Sequence, residues 1–140
     1  MSTVLWVNVL KDGKVMTEDS DKYALFKYAD KLDELSRKLN LGSFDALCDD
    51  TDLRFNMQDM ELPEGMGSTN EMMAKDGKWV ELGQAIKMLE GLLAHIRQNK
   101  VRFGLFKNEH VEVVAELEEA MTYAKSVLGP GVKFNFSIVM

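Results

Sequence analysis

"LCDDTDLRFNMQD", Leu47 to Asp59, is the stretch that decides how the middle of the chain folds. It holds the one cysteine, Cys48, then Asp49, Asp50 and Asp52, and then Leu53, Phe55 and Met57 alternating with Arg54 and Asn56. Apolar and polar side chains in alternation have the period of a half-buried strand. The segment Asp52–Met57 is therefore predicted to be the middle strand of a sheet, with the three aspartates forming the turn that feeds it.

Upstream, "TVLWVNVL" (Thr3–Leu10) is rich in β-branched and aromatic residues and ends at Asp12-Gly13, a strong tight-turn pair. "VMTED" can return as its partner strand. Asp19 or Ser20 is expected to cap a helix carrying Leu25, Tyr28, Ala29, Leu32, Leu35 and Leu39 at helical spacing, stopped by Asn40 and Gly42. "GSFDALCDD" reads as a short helix capped by Ser43.

Downstream, Gln58 to Asp76 reads as a long acidic loop with Pro63, Gly65, Gly67 and the methionines Met60, Met66, Met72 and Met73. "KDGK" occurs at Lys11–Lys14 and again at Lys75–Lys78, but the match ends there, so two similar turns are expected rather than a repeat. A helix follows from about Val80 to Gln98, its stripe made by Leu82, Ala85, Ile86, Leu89, Leu92, Leu93 and Ile96; Gly83 and Gly91 allow a neighbour to pack closely. "VRFGLF" (Val101–Phe106) fits either a short strand or an apolar connection. Asn108 is expected to cap a last helix whose inner face is Val111, Val114, Leu117, Met121, Ala124 and Leu128. "VKFNFSIVM" closes the chain as a strand with Val132, Phe134, Phe136 and Ile138 on one face.

The order defines an α+β protein: one domain over residues 1–140, with a small mixed or antiparallel sheet (N-terminal hairpin, middle strand, C-terminal strand) covered on one face by about three helices. The polar alternate positions Asn8, Arg54, Asn56, Lys133, Asn135 and Ser137 predict a wetter second face, free for a site or a subunit interface.

Composition narrows the function. At 140 residues with 46% hydrophobic and 29% charged side chains, the chain has the make-up of a soluble globular domain. One cysteine cannot form an intramolecular disulfide, and the opening "MSTVLWVNVLKDGK" has no basic leader, so a cytoplasmic protein is expected; its closing helix-to-strand segment resembles those of small bacterial proteins. No apolar run is long enough to span a bilayer, so no membrane association is expected. The net charge of −6 is uneven: Asp45–Asp76 carries nine acids against Arg54 and Lys75, and Asn108–Leu128 five against Lys125, leaving the rest of the chain net basic. Such a chain repels phosphates, which argues against nucleic acid and leaves a protein partner with a basic surface, or a homo-oligomer, as compatible partners.

The candidate chemistries fail on spacing. An EF-hand starting at Asp50 would have Arg54 at its fifth position and Phe55 where the sixth requires glycine. Cys48 has acids on its C-terminal side, which oppose a thiolate, and reads as a small buried hydrophobe. His95 and His110 stand in no metal-ligand spacing, and neither a Gly-x-Ser-x-Gly elbow nor a phosphate-binding glycine loop occurs. No metal, cofactor or catalytic group is expected. Glu112, Glu116 and Glu119 form an i, i+4, i+7 row on the last helix.

The expected function is a non-enzymatic protein-binding module, for instance of the inhibitor or immunity type. Asp49, Asp50, Asp52, Arg54, Glu112, Glu116 and Glu119 would converge as its partner-binding patch. The alternative is a small-molecule binder or small hydrolase built on the Asp49–Arg54 turn, with the 58–76 loop as a lid.

Overall fold

A computed structural model describes residues 2–58, 60–127 and 129–140. Asp59, counted among the acids above, and Leu128, expected on the inner face of the last helix, lie outside the described residues. Strands β1 (Val4–Lys11) and β2 (Lys14–Lys22) form the expected hairpin. Its two-residue loop joins the pair Lys11 and Lys14, with Asp12 at φ 53° and Gly13 at φ 76°. Two successive left-handed residues are what the twist of a tight hairpin requires, and an aspartate followed by a glycine supplies them at low cost.

The predicted second element is two helices, α1 (Tyr23–Lys27) and α2 (Ala29–Lys38), broken at Tyr28 and stopped by Asn40 and Gly42, both at positive φ. Asp19 and Ser20 do not cap it; they belong to β2, which runs on to Lys22. The first amides of α1 are met instead from another element. The Glu116 carboxylate accepts from Ala24 N at 3.2 Å and Leu25 N at 3.0 Å. A single 3-10 turn (Asp45–Leu47) leads into the two-residue strand β3 (Cys48–Asp49).

The predicted middle strand is a helix, α3 (Thr51–Met57). The apolar alternation there has the period of a strand, but the polar residues favour the helix. Asp50 pairs with Arg54 at 3.0 Å and Asp52 accepts from Asn56 Nδ2 at 3.0 Å, both at i, i+4. Thr51 and Phe55, also four apart, are the buried pair, whereas Met57 is 68% exposed. The aspartates therefore sit at a helix N-terminus, where the dipole favours them, not at a C-terminus. The stretch expected to be loop throughout ends in another helix, α4 (Thr69–Asp76), whose Met73 is buried.

Strand β4 (Val80–Glu81) opens helix α5 (Leu82–Asn99), which buries the expected stripe plus Met88, except that Ile86 is only partly buried, and ends on Lys100 at φ 48°. Gly91 lets the Leu41 side chain pack against the helix backbone; a Cβ there would push that side chain aside. Helix α6 (His110–Ser126) and strand β5 (Lys133–Val139) complete the chain. The inner face of α6 is Val113, Leu117, Ala120 and Ala124; Val111, expected inside, is exposed. Two of those four are alanines, so the apolar signal of that face is weak in sequence.

The sheet has the order β2–β1–β5–β3, with β4 also pairing with β5. It is mixed: β3 runs parallel to β5 and the other pairs are antiparallel. On one face Val9 pairs with Phe134, Val7 with Phe136 and Leu5 with Ile138. This face packs with α1–α2, α5 and α6 into one core, where Phe134 and Phe136 are fully buried edge to face at 5.2 Å.

The second face is not the wet surface that its polar residues predict. Asn8, Asn135 and Ser137 are buried, and α3 and α4 lie over them with Phe55 and Met73 turned inward. The polar groups satisfy one another in register. Thr17 Oγ1 donates to Asn8 Oδ1 at 2.6 Å, Asn8 Nδ2 to Asn135 Oδ1 at 2.9 Å, and Asn135 Nδ2 to the Lys78 carbonyl at 2.8 Å. Buried amides are tolerated because each finds its partner. Arg54 and Asn56, counted on this face as strand residues, are instead exposed on α3.

Candidate functional site

The Asp49–Arg54 turn is built from side chains that already have partners. Asp49 is 2% exposed; its Oδ1 accepts from Thr51 N at 2.9 Å and its Oδ2 from Lys78 N at 2.8 Å. One carboxylate thus ties the start of α3 to the turn between α4 and β4. Gly77 makes room for it, since a Cβ there would lie 2.9 Å from Asp49 Oδ2. Asp52 Oδ1 accepts from Thr69 Oγ1 at 2.7 Å and so joins α3 to the first turn of α4. Asp50 and Arg54 pair with each other at the surface.

The glutamates of α6 serve other elements. Glu116 caps α1, and burial pushes its carboxyl up against the two amide hydrogen bonds that favour the charged form. Glu112 lies 3.6 Å from Lys107. Glu119 lies 3.4 Å from the ammonium of Lys22, which is fully buried and donates to Glu18 Oε1 at 2.7 Å. Burial acts to raise Glu18, but hydrogen bonds from Lys22 and Ser20 outweigh it and hold the carboxyl below its ordinary value. Ser20 stands beside Lys22, whose ammonium is ion-paired to Glu18 and Glu119.

The seven acidic and basic candidates are therefore not one patch. Asp49 is paired in register with Ser137 on the second face of the sheet, where α3 carries Asp52 and Arg54. Glu112, Glu116 and Glu119 stand on α6, which packs against the first face. The convergence expected from charge counting does not occur, because the sheet separates the two groups. Of five hollows of about 230–650 Å³ on the described surface, none is lined by Asp49, Asp50, Asp52 or Arg54.

Cys48 is buried among core side chains. Burial, with the Asp45 carboxylate second, pushes its thiol up to about 12, which leaves no thiolate at neutral pH. His110 makes a 2.7 Å contact from Nδ1 to the Val101 carbonyl, and His95 Nδ1 lies 3.1 Å from Asn99 Nδ2. No group of three or more His, Cys, Asp or Glu placed to hold a metal ion occurs among the described residues. Nor does any described helix have the length and apolarity to cross a membrane.

The surface feature that sequence reasoning missed is the connection between α5 and α6. Leu105 and Phe106 are 89% and 102% exposed, and Val111 just beyond them is 71% exposed. This exposure is built. Phe103 is fully buried beneath the loop, 5.4 Å from the Tyr28 ring. Gly104 takes φ +103°, and a Cβ there would collide with the Lys107 carbonyl. The Arg102 guanidinium donates to the carbonyls of Gly104 at 2.8 Å and Leu105 at 3.0 Å. Asn108 Oδ1 accepts from Phe103 N at 3.0 Å and His110 N at 3.1 Å. The backbone is satisfied from within, and two large apolar side chains are left outside. A sequence signal existed: Leu105 and Phe106 follow a glycine and belong to neither helical stripe.

Compared with protein-family models, curated proteins and solved structures, the chain gives no match. The class that its residues define is an α+β protein with a mixed sheet between two unequal helical layers.

Proposed function

We propose that this protein is a non-enzymatic module that binds a protein partner, an inhibitor or immunity-type protein being one form of that role. The observation that carries the reading is the Leu105–Phe106 knob. Leaving two large apolar side chains in water on a loop braced by Arg102, Gly104 and Asn108 forgoes free energy of about 1.5–3 kcal/mol for each side chain that a covering surface would bury. Basic side chains flank it in sequence at Lys100, Arg102 and Lys107, the last of them paired with Glu112. A basic partner facing converged carboxylates has no support, because those carboxylates lie on opposite faces of the sheet. The same reading has the protein working in the cytoplasm, in keeping with a single buried, unpaired cysteine.

Affinity capture with immobilised wild-type protein, a Phe106→Ser variant and a Leu105→Ser variant tests it. A protein retained by the wild type at both low and high salt, and lost from both variants, is the expected result. Identical capture by all three would end the reading.

A further inference from the structure

We infer that the partner of the Leu105–Phe106 knob is a second copy of this chain, and that the knob seats in a hollow on the partner's α6. The inference rests on the protein-binding reading above. The hollow, of about 520 Å³, lies between β2 and α6; Ala115, Thr122 and Tyr123 line it, and at its rim stand Glu118, paired with Arg97, and Glu18 and Glu119, which share the one ammonium of Lys22 and so leave the rim net negative. Its lining is mainly carbon. The knob offers the converse: apolar Leu105 and Phe106 are flanked in sequence by Lys100, Arg102 and Lys107, of which Lys107 is paired with Glu112 while Lys100 and Arg102 make no ion pair among the described residues. An apolar knob beside two uncompensated cations and an apolar hollow with a net negative rim match in apolar character and in the sign of their charge.

Their placement on one helix fixes the symmetry. Val111, Ala115, Glu118, Thr122 and Ser126 recur at i, i+4, i+7, i+11 and i+15, so the flank of the knob and the hollow lie on one face of α6. Lys107, beside Glu112, ties the knob to the N-terminal end of that face. The hollow is towards the C-terminal end, on the order of 16 Å along the axis at about 1.5 Å per residue. Two copies of α6 laid antiparallel therefore place each knob over the other's hollow, with Val111 of each near Ala115 of its neighbour. The contact is self-complementary and closes at two subunits. Within one chain the knob is too far along the helix to reach its own hollow.

Sedimentation equilibrium of the full chain, from micromolar to millimolar concentration, tests the inference with two variants at exposed positions. Phe106→Ser removes the knob, and Ala115→Arg blocks the hollow with a cation; neither side chain is in the core. The wild type is expected to show a monomer–dimer equilibrium weakened by salt. Each variant should raise the dimer dissociation constant by about thirtyfold or more, the factor for losing a central aromatic anchor. Mixing the two variants should restore part of the association, because the mixed dimer keeps one intact knob-and-hollow contact. A wild type that stays monomeric, a dimer indifferent to Phe106→Ser, or a mixture no better than its components overturns the self-pairing. If the same Phe106→Ser variant then loses capture of a different protein, the protein-binding reading survives and only the second copy is wrong. If instead it loses binding to vesicles of anionic phospholipid, both fall.

Discussion

Replacing Asp49 with alanine tests whether the aspartate-rich turn is architecture. The carboxylate is 2% exposed and accepts two backbone amides, Thr51 N at 2.9 Å and Lys78 N at 2.8 Å. Removing it strands two buried donors, each at a cost of about 1–3 kcal/mol. Against this, a buried carboxylate no longer has to be desolvated, and one water molecule can partly refill the space. The net loss expected for Asp49→Ala is about 2–4 kcal/mol, a large share of the roughly 5–15 kcal/mol that holds a domain together. Asp49→Asn should lose less, since its oxygen still serves one amide, but its own N–H₂ then faces the other. The neighbouring Asp50→Ala is the control. Its pair with Arg54 has both side chains about half exposed, so the loss there should stay within about 0.5 kcal/mol. Urea unfolding followed by circular dichroism measures both, and amide exchange should quicken at Lys78 in the Asp49 variant alone. Equal, small losses at the two positions, under about 1 kcal/mol, would refute the reasoning.

Truncating Phe134 or Phe136 to alanine should cost roughly 3–5 kcal/mol by urea unfolding, because both rings are fully buried against the helices; under about 1 kcal/mol for both would contradict their placement. Asp33 and Glu116 should show opposite pH dependence. Burial acts to raise Asp33, but hydrogen bonds from Ser43, Asp45 N and Arg37 outweigh it and hold the carboxyl below its ordinary 3.8. Its contribution is therefore complete above pH 3.8 and is lost as pH falls through the lowered native value, so the advantage of wild type over Asp33→Asn should shrink in that acid range. Glu116 is raised above 4.5 by burial, so the wild type should lose stability relative to Glu116→Gln as pH rises from 4.5 through the native value. Isothermal titration of calcium and of zinc should give no stoichiometric micromolar site that vanishes in Asp50→Ala, because the acids of the turn have wrong spacing for a loop site and are held by other groups.

Much of the candidate site was hidden from the sequence for one reason. Charge counting locates carboxylates along the chain, whereas their use depends on which element faces them. Glu116 looks like one member of a solvated row, yet it meets amides 91 and 92 positions away. Asp49 looks like one of three equivalent aspartates, yet it alone is buried, because β3 pairs with β5 and turns its side chain under Gly77 and Lys78. The Leu105–Phe106 knob could be noticed as an apolar pair outside both stripes, but its exposure required knowing that Phe103, not Phe106, enters the core.

The hairpin, α5 and β5 were determined by the sequence alone, since each is specified by interactions within its own few turns or residues. Asp12-Gly13 sets the loop, a stripe of apolar residues over five turns sets the helix, and alternation around Phe134 and Phe136 sets the strand and its inner face. Tertiary structure decided the rest. The apolar alternation at Asp52–Met57 has the period of a strand, yet helix is chosen there, through i, i+4 pairing and a second sheet face that Phe55 and Met73 cover. The face of α6 that turns inward is likewise chosen by the alanines that let it approach α5 and the sheet. Its opposite face, with Val111 and the knob beside it, is left to the solvent because the core has no further room to take it in.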